Sequence, residues 1–210
     1  MVSGVLTGFA EMVVPGLSLP SDEPLTVPAT SMGAFVQKAL LSQESPLWNV
    51  DHDHLGGAEI GYLFTNAVSM RRGQQILGQA ELIGSPGGNW SKARSRQQLR
   101  EWFPGQDLDF IITLYAPYVV GASPADQMAL LEHEHYHCGQ KHDDYGVPMF
   151  SKIDGRPIYT MRGHDVEEFV AVSRRYGAGA GKTLELAEAI RLGPEFDEAT
   201  IGRVCGSCLR

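Results

Sequence analysis

His133-Glu134-His135-Tyr136-His137 sets two histidines four residues apart, with a glutamate directly after the first. On an α-helix, positions i and i+4 lie one above the other on the same face. His133 and His137 are thereby expected to reach one metal ion, with Glu134 beside it. Each residue type answers a chemical need. Neutral imidazole suits Zn²⁺, and two ligands from one rigid turn leave room for a third protein ligand and a water. A zinc ion acidifies such a water and polarises a carbonyl. Glu134 is the expected general base, taking the proton from the attacking water and passing it to the leaving amine.

The flanking residues supply the helical context. Ser123 followed by Pro124 is an N-cap with a first-turn proline, and residues 125–138 contain neither glycine nor proline. Gly139 stands where a helix C-terminus favours a residue that tolerates positive φ. Met128, Leu131 and His135 share one face of this helix, and Leu130 adjoins the face of the ligands.

Upstream, Asp109 to Tyr115 is the clearest strand, bounded by Pro117. Placed just before the metal helix, it is expected at the rim of the cleft, with a backbone available to an extended peptide. Residues 59–65 and 75–83 read as two shorter strands separated by Arg71-Arg72-Gly73, a pattern that predicts a hairpin. Ser91 to Phe103 reads as a polar helix whose buried edge is Leu99, Trp102 and Phe103. Ser31 to Leu41 has helical spacing through Phe35, Val36, Ala39 and Leu40, closed by Pro46. Residues 1–30 carry Pro15, Pro20, Pro24 and Pro28 and read as an extended arm. The order of elements gives an α+β fold, a small mixed sheet packed on helices. The expected division is an arm at 1–30, a metallopeptidase-like domain at 31–193, and a tail with a Cys-x-x-Cys pair at 194–210.

The chain has 210 residues, a formal net charge of -8 and a pI near 5.3. That balance opposes a phosphate-tracking surface and argues against a nucleic-acid partner. Lys92, Arg94, Arg96 and Arg100 form the one local basic cluster and read as a solvated helix face. A membrane-spanning helix needs about 18 apolar residues in a row, and the sequence has no such run. Three cysteines are an odd number, which speaks against a disulfide framework and for a reducing, cytoplasmic setting. Cys205-Gly206-Ser207-Cys208 has zinc-knuckle spacing but no second pair, so it reads as a free or adventitiously oxidised pair ahead of a structural metal site.

For the third ligand the sequence offers His142, Asp143, Asp144, His164, Glu167 and Glu168. His142 requires the chain to fold straight back beyond Gly139. His164 is expected to open a second helix running to Tyr176 and closed by Gly177. Glu168, one turn further on, serves either as ligand or as a carboxylate that orients a histidine. Tyr159, Arg162 and Tyr176 are candidates for stabilising an oxyanion, with nothing to choose among them.

Asp109-Phe110-Ile111-Ile112, residues 129–137, and Gly163-His164-Asp165-Val166-Glu167-Glu168-Phe169 together resemble the Putative phage metallopeptidase family, and more distantly the SprT-like zinc proteases. The likeness runs over roughly residues 35 to 177. In SprT-like proteins the third ligand is a histidine in a Gly-His-x-x-x-Phe-like segment, which maps onto His164. The resemblance implies a zincin-like metalloprotease domain with His133, His137 and His164 on Zn²⁺, acting on peptide or protein substrates. The acidic charge and the missing zinc ribbon depart from SprT-like proteins, so a DNA-repair role is not implied. Two rival readings remain at this level. One is a scaffold module with a structural zinc, in which Cys138 or His142 adds a fourth ligand. The other is a hydrolase of a non-peptide amide or ester.

Overall fold

The computed structural model describes residues 7–18, 23–71, 73–84, 88–166, 170–177, 181–196, 198–199 and 205–206. Its centre is a four-stranded mixed sheet in the order β1-β2-β6-β5, where β1 is Thr26–Pro28, β2 Ile60–Thr65, β5 Gly78–Leu82 and β6 Phe110–Tyr115. β2 and β6 pair in parallel, Ile60 opposite Phe110 through Thr65 opposite Tyr115. β1 and β5 flank them in antiparallel register. Side chains alternate across a strand, so this sheet is buried on both faces. Tyr62, Phe64, Phe110, Ile112 and Leu114 point into the main core, whereas Leu63 and Ile111 join Phe103 and Leu108 on the opposite face. That second face is covered by α2 (Asn89–Trp102), through Leu99 and Trp102 and then Phe103, the buried edge expected from sequence.

The expected hairpin shrinks to β3 (Met70–Arg71) and β4 (Gln74–Gln75), with Gly73 at φ 78° in the turn. The two longer runs never pair with each other, because β6 lies between them. This also moves the open sheet edge. β6 is bonded on both sides, so it offers no backbone to a peptide; β5 is the edge strand beside the site. Pro117 does not simply end β6. It sits in the first turn of a short helix, α3 (Ala116–Gly121), a position that needs no proline N–H.

Residues expected as an extended arm are built into the domain. Thr26–Pro28 forms the outer strand, and Phe9, Val13 and Leu17 are buried in the main core. Gln127 ties this segment down: its Oε1 accepts from the Phe9 amide at 2.7 Å, while its Nε2 donates to the carbonyls of Val119 and Ala122, both at 3.0 Å. Every polar atom of that buried amide therefore has a partner. α1 (Met32–Val36) continues as a π-helical turn over Gln37–Leu41, burying Met32, Val36 and Leu40.

α4 (Pro124–Tyr136) packs its apolar face on the sheet. Ser123 Oγ accepts from the Asp126 amide at 3.1 Å, the cap its sequence predicts. Met128, Leu131 and His135 share the core-facing side, and all three are buried. Burial depresses the His135 pKa to about 4, so the imidazole is neutral. With Nδ1 donating to the Leu131 carbonyl at 2.7 Å, Nε2 is the acceptor for the Tyr62 hydroxyl at 2.8 Å. Tyr62→Phe strands that buried nitrogen, and an unmet buried acceptor costs about 1–3 kcal/mol. Urea unfolding is expected to show a lower midpoint with an unchanged slope. An unchanged midpoint would mean this hydrogen bond contributes nothing.

Gly139 plays a different part from the helix-ending one expected of it. Its φ is not positive; it lies in β7 (Cys138–Gln140), which pairs antiparallel with β8 (Tyr159–Met161). A Cβ there would meet Arg162 Cβ at 3.3 Å and the Thr160 carbonyl at 3.4 Å. The glycine admits the neighbouring strand. α5 (Val170–Tyr176) and α6 (Lys182–Leu192) follow, and among the described residues no helix is long and apolar enough to cross a membrane.

Candidate metal centre

Two elements bring the histidines together. α4 presents His133 and His137 from one face, their rings 5.0 Å apart, and β8 delivers the chain to His164. His164 lies in an irregular segment ahead of α5 rather than in the first turn of a helix. The pairing of β7 with β8 sets its position, because the Arg162 amide donates to the His137 carbonyl at 2.9 Å. From there His164 Nε2 comes to 3.2 Å from His133 Nε2, and His133 Nε2 lies 3.3 Å from His137 Nε2.

These separations suit a metal. Two nitrogens each about 2.0–2.1 Å from a tetrahedral zinc lie about 3.3 Å apart along the tetrahedron's edge. The tautomer of His137 also fits. Its Nδ1 faces the Arg162 carbonyl at 2.7 Å and must donate to it, which leaves the Nε2 lone pair directed at the cluster. Three converging imidazole nitrogens form a donor set of the type that holds divalent zinc.

The fourth member was not expected. His133, His137, His164 and Cys205 place one ligand atom each within 4.8 Å of one another. Cys205 Sγ lies 3.0 Å from His137 Nε2. Sequence reasoning read the Cys-x-x-Cys pair as free or adventitiously oxidised, because pairing across 68 residues leaves no trace in local spacing. Cys208, Glu167 and Glu168 lie outside the described residues, so Glu168 as the alternative ligand has no position here.

Other candidates fall elsewhere. His142, Asp143 and Asp144 are exposed in the turn after β7 and are not part of the cluster. Cys138 is fully buried on β7, and burial, reinforced by Glu134, pushes its thiol pKa well up. Tyr159 stacks edge-on against Phe110 at 5.2 Å, a core position. Arg162 lies over the Tyr136 ring at 5.5 Å and pairs with Asp165 at 2.7 Å. Its contribution to the cluster is its backbone carbonyl. The side chain of Tyr176 lies outside the described ones.

Glu134 is fully buried next to the histidines and against β5. A Cβ on Gly78 would stand 2.6 Å from Glu134 Oε1 and 2.9 Å from its Cγ, so only glycine lets the strand approach the carboxylate this closely. Beside the histidines lies a cleft of about 200 Å³ bordered by Tyr136, Arg162 and Asp165.

Neither the curated proteins nor the solved structures returned a match. A family model described as "Putative phage metallopeptidase" matches residues 35–191, a span that includes His133, Glu134, His137 and His164 and stops short of Cys205. The match covers most of the chain, which therefore belongs to the Putative phage metallopeptidase family.

Proposed function

We propose that the protein is a zincin-like, zinc-dependent peptidase in which His133, His137 and His164 hold the metal and Glu134 is the general base. The observation that carries this reading is the approach of three imidazole nitrogens to 3.2–3.3 Å around His133, with a buried carboxylate alongside. Family membership supports a metal ion and a peptide or protein substrate. When bound, zinc supplies Lewis acidity toward the scissile carbonyl and lowers the pKa of water to near neutrality. The chain's own residues do the rest. Glu134 takes a proton from the attacking water and returns it to the leaving amine. The Arg162 carbonyl holds His137 in the tautomer that keeps Nε2 unprotonated. β5 is an edge strand of the sheet next to Glu134, and beyond its bridge to Cys205 at Gly78 it is the strand on which an extended peptide would pair.

The test is digestion of a peptide library by the zinc-loaded protein at neutral pH, with products mapped by mass spectrometry. New internal termini should disappear on chelation and return with zinc. Cleavage that survives chelation would overturn the reading.

Gly78 provides a finer check. Gly78→Ala forces Glu134 away from β5, and a misplacement of about 1 Å at a catalytic group can cost on the order of 100-fold in rate. Zinc content should be unchanged, because the three atoms nearest the new methyl group all belong to Glu134, which is not a ligand. A Gly78→Ala protein with undiminished turnover would show that the position of Glu134 does not matter.

One observation favours a second reading. A donor set of three histidines and a cysteine is also that of a closed structural zinc site, the scaffold alternative, now with Cys205 rather than Cys138 or His142 as its fourth ligand.

A further inference from the structure

Cys205 is not simply near the histidines; it is seated. The only described residues of its segment, Cys205 and Gly206, lie alongside β5, with Cys205 bridged in parallel to Gly78. The Gly206 amide donates to the Gly78 carbonyl at 2.9 Å, and the Arg71 guanidinium donates to the Gly206 carbonyl. A Cβ on Gly206 would stand 2.7 Å from Gln79 Oε1 and 3.0 Å from Ile76 Cγ2, so the backbone lies tight against the strand. The sulfur thereby comes to 3.0 Å from His137 Nε2 and 4.0 Å from Glu134 Oε2. That is the space between base and histidines that an attacking water needs. The same two residues also cover the β5 edge on which an extended substrate would pair.

We propose that Cys205 is the fourth ligand of the zinc site, and that its segment is an intramolecular plug that excludes both water and substrate until it is displaced. The proposal rests on the peptidase reading above. On ligation the thiol loses its proton to solvent and binds as thiolate; on release it regains one, and water enters beside Glu134. A purely structural four-ligand site has no use for a buried carboxylate against its fourth ligand, and Glu134 lies there. A tethered ligand acts at an effective concentration of about 1 mM, so the sulfur competes with water and substrate without any further contact.

The experiment is zinc-edge X-ray absorption on the zinc-loaded full chain, combined with cleavage of the peptide library. The unaltered chain should show one sulfur ligand at about 2.3 Å beside nitrogens at about 2.0–2.1 Å. Cys205→Ala and the closely isosteric Cys205→Ser should each keep one zinc, lose the sulfur and cleave on the order of 10- to 100-fold faster. No sulfur in the unaltered chain, or a sulfur that persists in Cys205→Ala, overturns the ligand assignment. Sulfur ligation with no gain of cleavage in either variant overturns the plug. The peptidase reading is judged separately, by whether Glu134→Gln added to Cys205→Ala abolishes whatever cleavage remains. Cleavage that depends on Glu134 upholds it even if the plug fails, and no cleavage in any variant removes it.

Discussion

Glu134→Gln is expected to keep the fold and one zinc per chain while losing turnover by about 10²- to 10⁴-fold, the usual contribution of a positioned general base. The amide has the shape of the carboxylate but cannot accept a proton from water. It also fits the same buried slot against Gly78, so the loss is chemical rather than structural. If Cys205 holds the site closed, the comparison is cleanest in a Cys205→Ala background, where the base is exposed to substrate. Zinc content near one together with kcat reduced at least 100-fold is the expected pair of results. Equal rates would point to another base or a contaminating protease.

The second large effect concerns the metal. His133→Ala, His137→Ala and His164→Ala should each lower zinc affinity by a comparable factor, on the order of 10³ or more, since a site worth about 10–16 kcal/mol in all is shared by a handful of ligands. Competition with a chromophoric chelator measures it. The ordering carries the information. Glu168→Ala should weaken binding by at most about 10- to 100-fold, as a carboxylate orienting a histidine would. If Glu168→Ala empties the site while His164→Ala leaves it filled, the third ligand is the glutamate.

Local signals were the legible ones. The cap at Ser123, the first-turn Pro124 and the four-residue histidine spacing each act within one helix, and the structure builds α4 on them. Leu99, Trp102 and Phe103 were readable for the same reason, as one edge of one helix. Register between distant segments was not readable. Two apolar runs that look like a hairpin are separated in space by β6, because a parallel partner for β2 completes a sheet buried on both faces. The proline-rich beginning hid Phe9, Val13 and Leu17, which pack into the core where the Phe9 amide donates to Gln127 more than a hundred residues later. Gly139 was assigned the commoner role of its residue type, when the demand on it came from β8 approaching sideways.

Within the site the division is similar. His133 and His137 follow from periodicity alone, whereas His164 needed a resemblance, since only the pairing of β7 with β8 brings it across. Cys205 had no such help. Its place is set by a backbone bridge to Gly78 and by the absence of a side chain at Gly206, and neither shows in the spacing of a Cys-x-x-Cys pair.

The most direct test of the three-histidine centre is anomalous diffraction from crystals of the zinc-loaded protein, collected on both sides of the zinc absorption edge. The account predicts one peak about 2.0–2.1 Å from Nε2 of His133, His137 and His164 alike. A peak bound to the α4 histidines but not to His164, or one held only by the Cys205-Cys208 pair, would contradict it.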